Sequence, residues 1–227
     1  MKSDSISTKE VERFSLPKAL IVEGPDDKNF IINFLKFLKI DNKIYIHEVG
    51  GDGNLGNKTE KSLLIAAKTP AFKNNVKNLA ILFDGDVDEN KALRKILSAI
   101  VKINNESPNS QFVVSNKINQ IDLEFKTSEE GSGEIKTFVF IFKNNLEQVY
   151  LETLSEEEKI VVENCIPNFF QCSKTIKTNN KKIVQAFLST KNEIRDIGAA
   201  AGKKIINFDH SSLDNLKKFL LDFANLT

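Results

Sequence analysis

Residues Asn78 to Asp88 read NLAILFDGDVD. The apolar run through Phe83 ends in Asp84, Asp86 and Asp88, three acids at alternate positions. An unbroken apolar run suits a strand buried on both faces, as inside a parallel sheet. Three like charges where such a strand surfaces repel one another unless a cation sits among them. Side chains alternate along an extended chain, so Asp84 and Asp86 share a side if the strand persists that far. In an open α/β sheet the carboxyl ends of the strands are where ligands bind. Two close carboxylates there form a hard, oxygen-rich site suited to Mg²⁺ or Mn²⁺. One Asp at a loop-to-helix junction reads more simply as a cap. Three at alternate positions favour metal.

Working outward, Lys18 to Glu23 (KALIVE) is a short buried strand stopped by Gly24-Pro25. Asp26 is placed to cap the next helix, which puts Phe30, Ile31, Phe34, Leu35 and Leu38 on one face. Lys43 to Val49 alternates as a second strand, followed by the loop GGDGNLGN and a helix over Lys58 to Lys68. A third helix is expected over Asp88 to Ile103. The first 105 residues therefore read β-α-β-α-β-α, which implies an α/β fold with a mostly parallel sheet flanked by helices. Beyond them, strands are expected over Gln111 to Ser115 and Gln120 to Phe125. The run IKTFVFIF from Ile135 follows as a hairpin or a continuation of the sheet. Helices are expected over Leu146 to Leu154, Ser155 to Asn164 (Ser155 and Glu158 at capping-box spacing), Lys181 to Thr190 and the C-terminal stretch. Residues 17–105 thus form the expected core. Residues 106–227 form an added α+β portion that completes the sheet and covers it with helices without being an independent domain.

Composition narrows the partners. The 227 residues carry a net charge of +1, so any attraction to nucleic acid must come from a local patch. Two cysteines, Cys165 and Cys172, supply neither a disulfide framework nor, with His47 and His210 far away in sequence, a zinc site. The N-terminus lacks an apolar signal core, and no apolar run approaches the ~20 residues of a membrane span. The expectation is a soluble, cytoplasmic protein with no membrane partner.

Three rival readings share parts of this signal; the first is rejected and the other two are weaker matches. An EF-hand loop counted from Asp84 needs Gly and Glu where Glu89 and Lys95 stand. Haloacid-dehalogenase phosphatases open with D-x-D-x-T/V, whereas this motif comes third in the chain and ends in Asp88. Gly51, Gly53 and Gly56 fit G-x-G-x-x-G, but the triplet follows the second strand, with no acid at a strand end about 20 residues on.

The discriminating feature lies upstream. LIVEGPDD ends the first strand with Glu23, then Gly24, with Asp27 four residues after the glutamate. An apolar strand with E-G-x-x-D, a helix, a strand ending near glycines and a later strand with D-x-D together resemble the Toprim domain over about 100 residues. The segment FIFKNNLEQVYLETL and the C-terminal GAAAGKKIINFDHSSLDNLKKFLLDF resemble parts of small stand-alone bacterial Toprim proteins, with Glu152 matched to their later acid. Related Toprim domains occur in the overcoming-lysogenization-defect (OLD) nucleases and in ribosomal-RNA maturation nucleases.

The resemblance implies metal-dependent phosphodiester chemistry on nucleic acid. By it, Glu23, Asp84 and Asp86 are catalytic, and Glu23, Asp27, Asp84, Asp86, Asp88 and Glu152 are the candidate metal ligands. Gly24 is expected to allow a tight turn under Glu23. Gly50, Gly51 and Gly53 are placed to bring backbone amides to a phosphate, and Lys203 to contact substrate; Lys174, Lys177, Lys181, Lys182 and Lys204 are further basic candidates. No G-x-x-x-x-G-K-[ST] loop is present, so an ATPase would have to be a separate partner. The expected function is Mg²⁺- or Mn²⁺-dependent hydrolysis of nucleic acid. Its alternative is a non-catalytic, metal-dependent nucleic-acid or partner-binding module acting with an ATPase. Self-association into a homo-oligomer is compatible with either.

Overall fold

The computed structural model describes residues 14–48, 69–85, 88–106, 112–117, 135–173, 179–191 and 194–227. Its strands are β1 (Lys18–Val22), β2 (Tyr45–Glu48), β3 (Asn78–Asp84), β4 (Phe112–Lys117) and β5 (Ile135–Phe142). They form one sheet in the order β2-β1-β3-β5-β4, and every pairing is parallel. The protein is therefore α/β with a parallel sheet, as the alternation of apolar segments implies. The hairpin reading of Ile135–Phe142 is not what forms. Residues 118–134 separate β4 from β5, longer than the dozen or so a parallel crossover needs, and β5 inserts between β3 and β4. The strand expected over Gln120 to Phe125 and the helix expected over Lys58 to Lys68 lie outside the described residues.

Period-two alternation sends the strand side chains into two separate cores. Leu20, Val22, Ala80, Leu82, Phe138 and Phe140 face one side; Ala19, Ile21, Leu79, Ile81, Val139 and Ile141 face the other. On the second side pack α2 (Pro70–Asn75), through Phe72, and α3 (Glu89–Glu106), through Ile96, Ala99, Ile100 and Ile103 at helical spacing.

The first side is thicker. It holds α1 (Pro25–Phe37), α4 (Leu146–Glu152), α5 (Glu156–Ile160), α6 (Ile166–Ser173), α7 (Asn180–Ser189), α8 (Ile197–Gly202) and α9 (Asp214–Ala224). Aromatic pairs bind this layer to the sheet: Phe140 with Phe219 at 5.1 Å and Phe138 with Phe223 at 5.8 Å between ring centroids. Each such pair contributes about 0.5–1.5 kcal/mol beyond its area.

Three local departures from expectation have physical causes. Helix α1 starts at Pro25 with Gly24 as its N-cap, not at a cap on Asp26, because proline's fixed φ suits the first helical position. The helix expected to end at Asn164 continues through a π-helical segment, Val161–Cys165, into α6. Pro167 has no N–H for the carbonyl of Glu163, and the wider π turn leaves room for its ring. Helices α2 and α8 are too short to show periodicity. Asp196, whose side chain accepts from the N–H of Ala199 at 2.7 Å, is the cap that marks α8.

Candidate active site

The order in which strands are added to this sheet reverses between β1 and β3: β2 lies on one side of β1 and all later strands on the other. Crevices outside the carboxyl ends of strands at such a switch point are the ligand sites of open α/β sheets. Glu23 follows β1 there, and Asp84 ends β3. Val22 pairs in register with Leu82, so the two acids emerge side by side. Glu23 Oε1 accepts from the backbone N–H of Asp84 at 3.2 Å. Asp84 Oδ1 accepts in turn from the N–H of Leu146, the first residue of α4, at 3.1 Å. Asp27 reaches back from the third position of α1, its Oδ2 accepting from the N–H of Gly24 at 2.9 Å.

These groups line a cavity of about 240 Å³, together with Glu147, Asp196 and Lys181. Burial, then the charges of Asp27, Glu23 and Glu147, push the Asp84 carboxyl up to about 9. Burial, then Glu147 and Asp26, push Asp27 up to about 6 against the lowering effect of the Gly24 N–H. Asp26 is raised by burial and by Asp196, with Lys181 opposing. The carboxylates thus sense one another, and Lys181 is the cation that Asp26 and Asp27 sense.

Glu147 is the acid that the sequence reading missed. It is the second residue of α4, in a turn set by Asn144, whose φ is 72°, and by Asn145, which accepts from the N–H of Gln148 at 2.9 Å. The signal was present as the Leu-Glu pair opening that helix. Glu152, the expected counterpart, is exposed at the far end of α4 and lines a different cavity. Five residues at 3.6 per turn place it about 140° around the helix from Glu147, facing away from the strand ends.

The other expected residues are distributed as follows. Asp88 is exposed and caps α3, accepting from the N–H of Lys91 at 3.1 Å, with Arg94 at 3.7 Å from its other oxygen. Asp86, Gly50, Gly51, Gly53, Lys174 and Lys177 lie outside the described residues. Lys203 is exposed at the C-terminal end of α8 and is not among the residues lining the acid cavity; Lys181 is. Gly24 does not need to be glycine for its backbone: its φ of −144° is extended, and a Cβ would meet only Asp27 Oδ2 at 3.5 Å. The glycine that is required is Gly85, next to Asp84. A Cβ there would lie 2.3 Å from the carbonyl oxygen of Phe142, to which Gly85 donates its N–H at 3.1 Å.

Among the described residues, no three His, Cys, Asp or Glu side chains are gathered as a metal-holding group. Glu23, Asp27 and Asp84 each rest an oxygen on a backbone N–H. The donor chemistry nevertheless fits a hard divalent cation, and Glu23, Asp27, Asp84 and Glu147 are the residues that would hold it. Among the described residues, no helix is long and apolar enough to cross a membrane.

Residues 17–225, the strand ends and the helical layer alike, match the family described as "Protein of unknown function (DUF3226)". The chain belongs to that family. No curated protein and no solved structure matches it.

Proposed function

We propose that this protein hydrolyses phosphodiester bonds of nucleic acid with Mg²⁺ or Mn²⁺. The observation that supports the reading is the meeting of Glu23, Asp27 and Asp84 at the switch point of a parallel sheet, with Glu147 facing them from α4. The order of the motifs, which resembles that of Toprim domains, points the same way. A divalent ion there would neutralise phosphoryl oxygens and make a bound water acidic. The chain's own groups have separable tasks. Asp84, fixed by the Leu146 N–H, and Glu23, fixed by the Asp84 N–H, present oxygens in a set direction. Asp27, at the third position of α1 with one oxygen on the Gly24 N–H, would complete the set of oxygens around the ion. Lys181 lines the same cavity and would offset the charge of a bound phosphate.

The test uses purified protein with single- and double-stranded DNA and RNA, with Mg²⁺, Mn²⁺ or EDTA. Wild-type cleavage that needs metal, and that falls at least about 100-fold in both Asp84→Asn and Glu23→Gln, supports the enzyme. Metal-dependent binding with no cleavage of any substrate would refute it in favour of the non-catalytic module partnered by an ATPase.

A further inference from the structure

A second cavity, of about 660 Å³, opens on the other side of the helices that close the acid site. It falls within the roughly 300–1,000 Å³ of small-molecule pockets. Leu151, Val162, Pro167 and Ile183 give it apolar walls. Among the described residues that line it, the one lysine, Lys159, is held by Glu156 at 2.9 Å, while Glu152 and Glu163 also face the space. Glu152 and Glu163 disfavour a phosphate there. The cavity suits a flat, part-apolar group that donates N–H bonds to carboxylates. The imidazole of His210 at its edge is already an acceptor, taking the N–H of Ser212 on Nδ1 at 3.2 Å.

The two cavities share their walls. Helix α4 sends Glu147 to the acid site and Leu151 and Glu152 to the second cavity; α7 sends Lys181 to the first and Ile183 to the second. The bond from Asn180 Nδ2 to Gln148 Oε1, 2.9 Å, ties the two helices beside Glu147 and Lys181. We infer that the second cavity receives an unstacked nucleobase bearing an exocyclic amino group, from the strand whose phosphate occupies the acid site. This rests on the phosphodiesterase reading and adds a substrate class to it: single-stranded or splayed nucleic acid. Duplex base pairs cannot present a base face and an amino edge to one pocket together, whereas unstacked bases can. Carboxylates read the amino group of cytosine in the same way.

The experiment titrates the full chain with adenosine, cytidine, inosine and uridine by amide NMR, without metal, so that it does not depend on cleavage. Saturable shifts near Leu151 and Ile183 are expected for adenosine and cytidine, at least about tenfold tighter than for inosine and uridine, with 5′-monophosphates no tighter than nucleosides. Glu152→Gln with Glu163→Gln, both at exposed positions, should weaken adenosine and cytidine by about tenfold and leave the weak binders unchanged. No saturable binding, equal binding of all four, or binding of spermidine or arginine instead that these substitutions abolish would each overturn the assignment. Nucleoside binding without cleavage would leave the base site standing and remove the nuclease reading. Cleavage without nucleoside binding would do the reverse.

Discussion

Asp84→Asn should stabilise the metal-free protein at neutral pH. The Asp84 carboxyl is buried beside Asp27, Glu23 and Glu147 and is pushed from its ordinary 3.8 to about 9. A carboxyl raised in the folded state binds its proton more tightly there than in the unfolded chain. The stability it contributes is fully present below pH 3.8 and is lost as the pH rises towards 9. Between 3.8 and pH 7 the loss is about 4 kcal/mol, at 1.36 kcal/mol for each tenfold change in proton activity. Asparagine keeps an oxygen for the Leu146 N–H and removes the titration. Relaxation of neighbouring side chains and water entry reduce the ceiling, so a gain of about 1–3 kcal/mol at pH 7 is expected, vanishing near pH 4. Urea denaturation in EDTA at pH 4, 5.5 and 7 measures it. Mg²⁺ should then cancel most of the variant's advantage or reverse it: at 100 times its Kd it stabilises the wild type by about 2.7 kcal/mol and the variant by little. A variant that is less stable than wild type by the same amount at every pH, with Mg²⁺ acting equally on both, would refute the argument that charges converge at Asp84.

Glu147→Gln should reduce the rise in Tm that millimolar Mg²⁺ gives the wild type, and Glu152→Gln should leave it intact, since only the first faces the strand ends; differential scanning fluorimetry separates the two. Gly85→Ala should cost about 1–3 kcal/mol in urea melts, because its Cβ would meet the Phe142 carbonyl at 2.3 Å and Glu89 Cγ at 2.8 Å; a neutral substitution would contradict the close approach of β3 and β5. Asn145→Ala removes the cap of α4 and should cost about 1 kcal/mol, while Asn145→Asp should recover most of it.

The sheet was legible because its strands are short apolar runs between helices of clear period. Five strands of one parallel sheet leave that imprint wherever the elements are long enough. Asp84 and Glu23 were legible as a pair for the same reason: each ends such a run. What the sequence concealed was angular. Glu147 and Glu152 belong to one helix and look equivalent on paper; only the start of α4, fixed by Asn145 and by the Leu146 N–H on Asp84, decides which faces the sheet. Gly24 was given a backbone role that its extended conformation does not need, and Gly85 was not singled out, for a similar reason. Gly24 sits in the more familiar motif. Gly85 is the one pressed against a neighbouring backbone, which depends on β5 lying next to β3, a pairing of residues far apart in the chain. The departure at Pro167 was concealed too, since a proline usually marks where a helix stops, and here the π segment carries the chain past it.

The same geometry explains why the second half of the chain shapes the acid cavity whose motif residues lie in the first. Strand β3 is buried between β1 and β5, so without Ile135–Phe142 its edge would stand unpaired beside Asp84. The N–H that fixes Asp84 comes from Leu146, and Glu147, Lys181 and Asp196 all enter the acid cavity from beyond residue 140. Gly198 brings α8 close enough to α1 that a Cβ would lie 2.6 Å from that of Asn29, two residues past Asp27. A fragment holding only the two acidic motifs would keep Glu23 and Asp84 in sequence while losing the Leu146 N–H that pulls the Asp84 carboxyl down and much of the burial, with the charge of Glu147, that pushes it up. The later half of the chain is therefore part of the site: its burial and its charges, as much as the motif residues, set the electrostatics at the strand ends.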